Sequence, residues 1–394
     1  MITRRFGRTE LAMPVLSCGG MRFQQSWDDL PWEQITAESQ RNVEATVRRA
    51  LDLGINHIET ARGYGSSELQ LGRILPGLQR DRMIIQTKVA PTADPKEFLA
   101  NFELSMANLR LDHVDLLGIH GINTRELLEW TVRPGGCLEA ALKLKASGRC
   151  RHIGFSTHAP LPIIREAIAT GAFDYVNLHW YWIHQHNWPA IDDATRQDMG
   201  VFIISPSDKG GRLYDPPEKL RQLCAPLDPM AFNNLFCLAR PQVHTLSIGA
   251  ARPGDFDAHV AAIARLNDAA ELTAPIAARL DAALAAHHGA DWMEHWADGI
   301  PGWQDIPGQI NVHEIIRLWN YASALDMVEF AKGRYNLLGN AGHWFPGKNA
   351  GELDAHDLRP ALANHPFRER LLATLQDARL LLHGEARQRL GKAD

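Results

Sequence analysis

A chain of 394 residues with 45% hydrophobic and 22% charged residues has the make-up of an ordinary folded globular protein, and exceeds one average domain. Its net charge of −5 excludes nucleic acid as the main partner, because phosphate binding needs a concentrated basic surface. No apolar run reaches the roughly 18 residues of a membrane span, so no membrane partner is expected. The start MITRRFGRTE lacks the apolar stretch of a signal peptide, and the five scattered cysteines (Cys18, Cys137, Cys150, Cys224, Cys237) form no CxxC pair. A cytoplasmic location follows as the expectation.

Taken in order, RRFGRTELAM predicts a two-stranded ribbon turning at Gly7, and VLSCGGM a buried strand ending in glycines. The polar stretch FQQSWDDLPWEQITAESQ reads as a loop feeding a helix at 41–53. Strands are then predicted at 57–60, 83–89, 114–120, 152–157, 175–180, 201–206 and 244–249. Helices fall between them at 66–78, 95–109, 137–147, 160–169, 190–198, within 216–240 and at 254–266. Ser66 or Ser67 is placed to cap the helix at 66–78. The strands are short, apolar and unalternated, as expected where both faces are covered. With the strand at Val15, eight strand–helix repeats favour a closed (β/α)8 TIM barrel over an open sheet. No GxGxxG turn follows the first strand, which argues against the open nucleotide-binding alternative. The predicted domains are the barrel at 1–270 and an all-α C-terminal extension at 271–394.

Chemistry in such barrels sits at the C-terminal strand ends. Glu59, Lys88 and His120 end the second, third and fourth predicted strands, and Tyr64 lies in the loop just past the second. Reducing a carbonyl needs an acid at the developing alkoxide, and a tyrosine with its ordinary pKa of about 10 is a poor donor at neutral pH. A lysine beside it would lower that pKa, a glutamate would hold the lysine charged, and a histidine would orient the carbonyl oxygen. The plainer alternative is a salt bridge at the barrel rim with a packing tyrosine and a core histidine.

The segments GRTELAMPVLSCGGMRF, ETARGYGSSE…LG, QTKV, DLLGIH, GFSTH and SPSDKGGRL, in this order, resemble the aldo/keto reductases over roughly residues 1–270. The resemblance implies a (β/α)8 barrel that binds a nicotinamide cofactor and carries a catalytic tetrad of Glu59, Tyr64, Lys88 and His120. Glu59 departs from the family's usual aspartate by one methylene. Cofactor contacts are implied for Ser156, Thr157 and Asn177 at the carboxamide, where asparagine replaces a more usual glutamine. Ser205, Lys209 and Gly210 in SPSDKGG are implied at the pyrophosphate, with Gly249 and Arg252 in IGAARPGDFDAHV at the adenosine end. There Asp255, Ala258 and His259 replace the usual pattern, and Asp255 would repel the 2′-phosphate that Arg252 would bind. NADP is favoured over NAD. The implied activity is NAD(P)(H)-dependent interconversion of a small-molecule carbonyl and an alcohol, with a sugar or polyol preferred. The alternative is a non-catalytic nicotinamide-binding sensor or scaffold on the same barrel.

The tail segments GQINVHEIIRLWN and RYNLLGNAGHWFPGKNAGELDAHDL resemble a ferredoxin-like extension found on one branch of this superfamily. No cysteine lies beyond Cys237, so no iron–sulfur cluster is expected. His287, His288, His295, His356 and His365 are too irregularly spaced to argue for a metal in its place. GHWFPGK lacks the Ser or Thr and the preceding strand of a P-loop. The run HWYWIHQHNW reads as pocket lining or packing ahead of a metal site, and WMEHWADGIPGW as packing of the tail on the barrel.

Overall fold

A computed structural model describes residues 1–387. The end of the expected extension, residues 388–394, lies outside the described residues. The described chain divides into two compact units, 1–210 with 233–269, and 211–232 with 270–387.

The first unit opens on an antiparallel ribbon, β1 (Thr3–Arg5) and β2 (Ala12–Pro14). Its turn places Gly7 at φ +54°, with its Cα so close to the 198–200 backbone that a Cβ would lie 2.5 Å from Asp198 O. The next strands are β3 (Leu16–Gly19), β4 (His57–Glu59), β5 (Ile84–Val89) and β6 (Val114–Ile119). They are followed by β7 (Cys150–Ser156), β8 (Tyr175–Leu178), β9 (Gly200–Ile203) and β10 (Thr245–Ile248). All eight pair in parallel and close into a barrel in the order β10-β3-β4-β5-β6-β7-β8-β9. Fully buried strands explain why the sequence shows apolar runs without alternation.

The barrel's lower core is aromatic. Phe6, Met13, Ile84, Leu116, Tyr175 and Phe202 form one buried cluster, with the Phe6 and Tyr175 rings 5.7 Å apart. Room for Tyr175 comes from Gly154 on the neighbouring strand, where a Cβ would sit 2.5 Å from the tyrosine ring.

The helices largely fall where the sequence predicts them, with three differences. The first helix, α1 (Ala37–Asp52), starts earlier than expected, because Thr36 accepts a bond from Ser39 N and caps it. The helix expected at 66–78 is only α2 (Ser67–Leu71) and a short 3₁₀ turn at Leu75–Gly77. The chain there runs so close to its neighbour that a Cβ on Gly72 would lie 1.8 Å from Asn108 O. Neither serine caps it through its side chain; the Ser66 hydroxyl donates to Gln70 Oε1. After α3 (Pro95–Leu109), an unpredicted α4 (Arg125–Val132) precedes α5 (Cys137–Ala146). α4 buries only Leu128 and Thr131, so its apolar stripe is too thin to read, although Thr124 caps it by accepting from Leu127 N. The series continues with α6 (Leu161–Ala169), α7 (Trp188–Arg196), α8 (Glu218–Cys224), α9 (Pro229–Leu238) and α10 (Asp255–Ile263).

The second unit is helical, and its larger elements are α11 (Ala269–His288), α12 (Ala290–His295), α13 (Val312–Leu325), α14 (Val328–Tyr335) and α15 (Arg368–Leu382). α13 is its centre, burying Ile315, Ile316, Leu318, Ala322 and Leu325 against α14 and α15. Asn311 caps it by accepting from Glu314 N, and Glu314 pairs with Arg317 at 2.6 Å in the interior. Trp292, expected to pack tail on barrel, is buried inside this unit, where its indole donates to Asn320 Oδ1 and Arg370 lies 4.0 Å over its ring. Among the described residues, no helix is long and apolar enough to cross a membrane.

Gly154→Ala is expected to destabilise the fold by about 1–3 kcal/mol, since the added methyl must displace the Tyr175 ring in a packed interior. Urea unfolding measures this; an unchanged midpoint would mean the ring is not held there.

Candidate active site

Parallel register brings the predicted residues together. Glu59 is the last residue of β4, Lys88 lies one residue before the end of β5, and His120 immediately follows β6. Glu59 aligns with Gln86 and Lys88 with Gly118, so consecutive strands step the three side chains around one end of the barrel. The loop carrying Tyr64 is stitched along β5 by Thr60 N to Gln86 O at 2.8 Å and Arg62 N to Lys88 O at 2.9 Å. It is clamped from the other side where Gly65, at φ +50°, approaches the 26–27 backbone too closely for any side chain.

Lys88 and Glu59 form a buried ion pair, at 1% and 3% exposure, between Lys88 Nζ and Glu59 Oε2. The ammonium also donates to Thr60 O at 2.7 Å, and Glu59 Oε1 accepts from the Ser247 hydroxyl at 2.9 Å. Two charges out of water persist only with such extra partners. Their fields reach the neighbours. Burial and then the Lys88 charge push the His57 imidazole down to about 3, while burial and then Glu59 push the Cys18 thiol up.

Lys88 Nζ stands 4.9 Å from the Tyr64 ring centroid, and the His120 ring meets Tyr64 edge-on at 5.6 Å. One expectation is overturned here. Tyr64 is raised well above its ordinary value, first by burial and then by the Glu59 charge. The lysine does not lower it, because its charge is paired with Glu59 and lies over the ring face.

The predicted carboxamide residues continue around the barrel. Ser156 is in register with Asn177, and its hydroxyl accepts from the backbone N–H of Gly121, the residue after His120, at 3.0 Å. Thr157 uses its hydroxyl locally, donating to Ile122 O and accepting from Ala159 N. Asn177 is different. It is 0% exposed, and neither its Oδ1 nor its Nδ2 has a hydrogen-bond partner.

In the next loop, Ser205 adopts φ +52° and Gly210 packs onto Pro206 O, where a Cβ would lie at 1.9 Å. Lys209 Nζ lies 3.3 Å from His158 Nδ1 and 3.4 Å from His179 Nε2, and those two imidazoles are 2.8 Å apart. His179 Nδ1 in turn meets the Tyr181 hydroxyl at 2.5 Å. His179 and Tyr181 of the HWYWIHQHNW run are thus linked with His158 and Lys209 in one hydrogen-bonded network. Among the described residues, no group of three or more His, Cys, Asp or Glu is placed to hold a metal. Past β10, Arg252 pairs with Asp255 at 3.0 Å, and Asp255 Oδ2 accepts from the backbone N–H of Ala251 and of Arg252. His259 turns inward to Asn234 at 2.7 Å. Gly249 faces the Arg22 side chain, whose nitrogen would lie 3.7 Å from a Cβ there.

Sequence reasoning missed Ser247 and the pairing of Lys209 with the two histidines. Ser247 carries no motif of its own; only its place in the last strand's inward-facing register could have marked it.

Residues 15–192 match the Aldo/keto reductase family model. L-galactose dehydrogenase of Arabidopsis thaliana is 31% identical over 182 residues, 41% of this chain and 54% of that protein. L-glyceraldehyde 3-phosphate reductase of Escherichia coli is 30% identical over 235 residues, 52% of this chain and 62% of that protein. Over residues 15–192 the barrel is thus similar in sequence to the aldo/keto reductases. This chain spans about half to three-fifths of the length of those curated relatives. Among solved structures, the barrel fold recurs in the holo form of an aldo-keto reductase from Bacillus halodurans, with a TM-score of 0.57 at 20% identity over 69% of this chain and 96% of that one. An aldo-keto reductase from Klebsiella pneumoniae in complex with NADPH gives 0.54 at 20% identity, over 68% and 93%.

A barrel with a buried, unsatisfied amide holds a residue that costs stability. Asn177→Leu, close in volume, is expected to raise stability by about 1 kcal/mol or more, because two unpaired polar atoms leave the interior. Loss of more than about 1 kcal/mol in chemical unfolding would mean the amide is partnered in solution.

Proposed function

We propose that this chain is a nicotinamide-dependent oxidoreductase interconverting a carbonyl and an alcohol, with Tyr64 as the proton donor. The observation that carries the reading is the buried Glu59–Lys88 pair beneath the face of Tyr64, with His120 edge-on to the same ring. A buried ion pair at the end of a barrel stabilises little by itself, so its cost is best explained by what it positions.

The chain fits a nicotinamide at Asn177. A primary carboxamide offers an NH2 donor group and a carbonyl acceptor, and the buried Asn177 amide has a partner for neither of its own. Ser156, aligned with it, completes the same edge. When bound, the nicotinamide supplies or accepts the hydride at the substrate carbon. Tyr64 Oη gives its proton to the carbonyl oxygen on reduction and takes it back on oxidation. Lys88, held by Glu59 and Thr60 O, sets its ammonium against the ring face and so fixes where the Tyr64 hydroxyl stands. His120 confines the carbonyl oxygen to the tyrosine side of the mouth. At the adenosine end Arg252 remains available for a 2′-phosphate, because an exposed ion pair such as Arg252–Asp255 is worth only about 0–1 kcal/mol. NADP(H) is therefore preferred over NAD(H) in this reading. Five buried, free cysteines accord with a reducing cytoplasm.

The substrate assigned is a small polyhydroxylated carbonyl or alcohol. Supporting it are the curated relatives named for L-galactose and L-glyceraldehyde 3-phosphate. Half-buried Trp27, whose backbone closes on Gly65 beside Tyr64, would offer a sugar a flat apolar face.

The raised Tyr64 pKa fixes the expected pH dependence. The phenol stays protonated across neutral pH, so carbonyl reduction should be flat between about pH 6 and pH 9. Alcohol oxidation needs the phenolate, so its rate should climb throughout that range. Tyr64→Phe should lower both by about 10²–10⁴-fold while leaving NADPH affinity unchanged. Stopped-flow turnover on a panel of sugars and sugar phosphates, with fluorescence titration of NADPH and NADH, tests this. Cofactor binding without turnover in the parent protein would favour a sensor over an enzyme.

A further inference from the structure

We propose that Ser247 is a positioning residue that, with Gly19, adapts this site to a glutamate at position 59. The proposal rests on the oxidoreductase reading for its purpose, but not for its geometry.

Glu59 stands on β4 and Ser247 on β10, with β3 between them. Adjacent strands lie about 4.8 Å apart, so the contact crosses two strand spacings. It does so over Gly19, the β3 residue in register with Glu59. A Cβ on Gly19 would lie 2.6 Å from Ser247 Oγ and 3.2 Å from Glu59 Oε1. Only glycine leaves the corridor through which the carboxylate and the hydroxyl meet at 2.9 Å.

The division of labour is complete. Oε1 accepts a hydrogen bond from the Ser247 hydroxyl and Oε2 one from the Lys88 ammonium, with all three side chains buried. A single pair would let the carboxylate rotate about its last bond; two anchors on opposite sides remove that freedom. An aspartate reaches about 1.5 Å less far, too little to span to β10 and still hold the lysine. The longer residue is thus matched by a serine and a glycine on two other strands, a coupling expected of a working site and not of a decaying one.

The test follows the Lys88 ammonium by nuclear magnetic resonance on protein labelled with ¹⁵N-lysine, assigning the signal by its loss in Lys88→Arg. Hydrogen exchange of that group is compared in the parent, Ser247→Ala, Ser247→Thr and Glu59→Asp proteins. Ser247→Ala and Glu59→Asp should each speed exchange by at least about tenfold, since either frees the carboxylate and loosens the lysine. Ser247→Thr, which keeps the hydroxyl, should restore slow exchange. Ser247→Ala added to Glu59→Asp should change nothing further, because the bond is already absent. In turnover, Ser247→Ala should lower kcat with KM held, because the ammonium under the Tyr64 ring is placed less precisely. Unchanged exchange in Ser247→Ala, or slow exchange in Glu59→Asp, overturns the proposal. A parent protein that never turns over refutes the oxidoreductase reading instead, and the exchange result still decides the role of Ser247.

Discussion

The buried pair of Lys88 and Glu59 is the constraint on which the upper barrel depends. Removing one partner of such a pair costs about 3–5 kcal/mol, because the other is left charged and unsolvated. Everything around it reads as support. Thr60 O and Ser247 supply the hydrogen bonds that water would have given. Gly19 clears the path to Ser247, and the Tyr64 loop is sewn onto the β5 backbone just above the lysine. The same charges set neighbouring ionisations in opposite senses. His57 below is kept neutral, Cys18 beside is kept protonated, and Tyr64 above is kept a phenol.

Much of this was legible in the sequence, for a physical reason. In a parallel barrel each strand is short and buried, so its polar terminal residue stands out against an apolar run, as Glu59, Lys88 and His120 do. Closure then forces neighbouring strand ends together, which turns three separate signals into one site. Where the pattern was faint, the reading failed. α4 has two buried residues, and α2 is cut short by a close approach at Gly72 that depends on a residue from another element. Ser247 lies 188 positions from the carboxylate it serves, and a serine in a strand is unremarkable by itself. The sign of the Tyr64 shift was also out of reach. Nearness of a lysine was readable, but not that its charge is already paired and faces the ring.

Asn177 and Glu59 show two ways in which a buried polar group is tolerated. Glu59 is fully answered within the chain, by a cation and a hydroxyl. Asn177 is not answered at all, although it sits one strand pairing from Ser156 and continues the same rim. A satisfied group is consistent with either structure or function, whereas an orphaned one in a well-packed barrel points outward from the protein to something that would complete it. The two therefore carry different weight. In the proposed reading the ion pair marks where the chemistry would occur, and the asparagine supports a partner with amide-like donors and acceptors.

Precision at Lys88 is finally a packing matter. Its side chain descends past Gly118, where even a Cβ would lie 2.9 Å from the lysine Cγ and 3.4 Å from the Tyr175 hydroxyl. Tyr175 itself is seated against Gly154 and accepts from Gln86 Nε2 at 3.3 Å. The lysine stem is thus confined by a glycine on one strand and a tyrosine that exists in that position only because a second glycine makes room. Two small residues low in the barrel set where an ammonium stands at its mouth. A long, flexible side chain with roughly 2 kcal/mol of rotamer entropy is held without many hydrogen bonds of its own, because the barrel offers it one path upward.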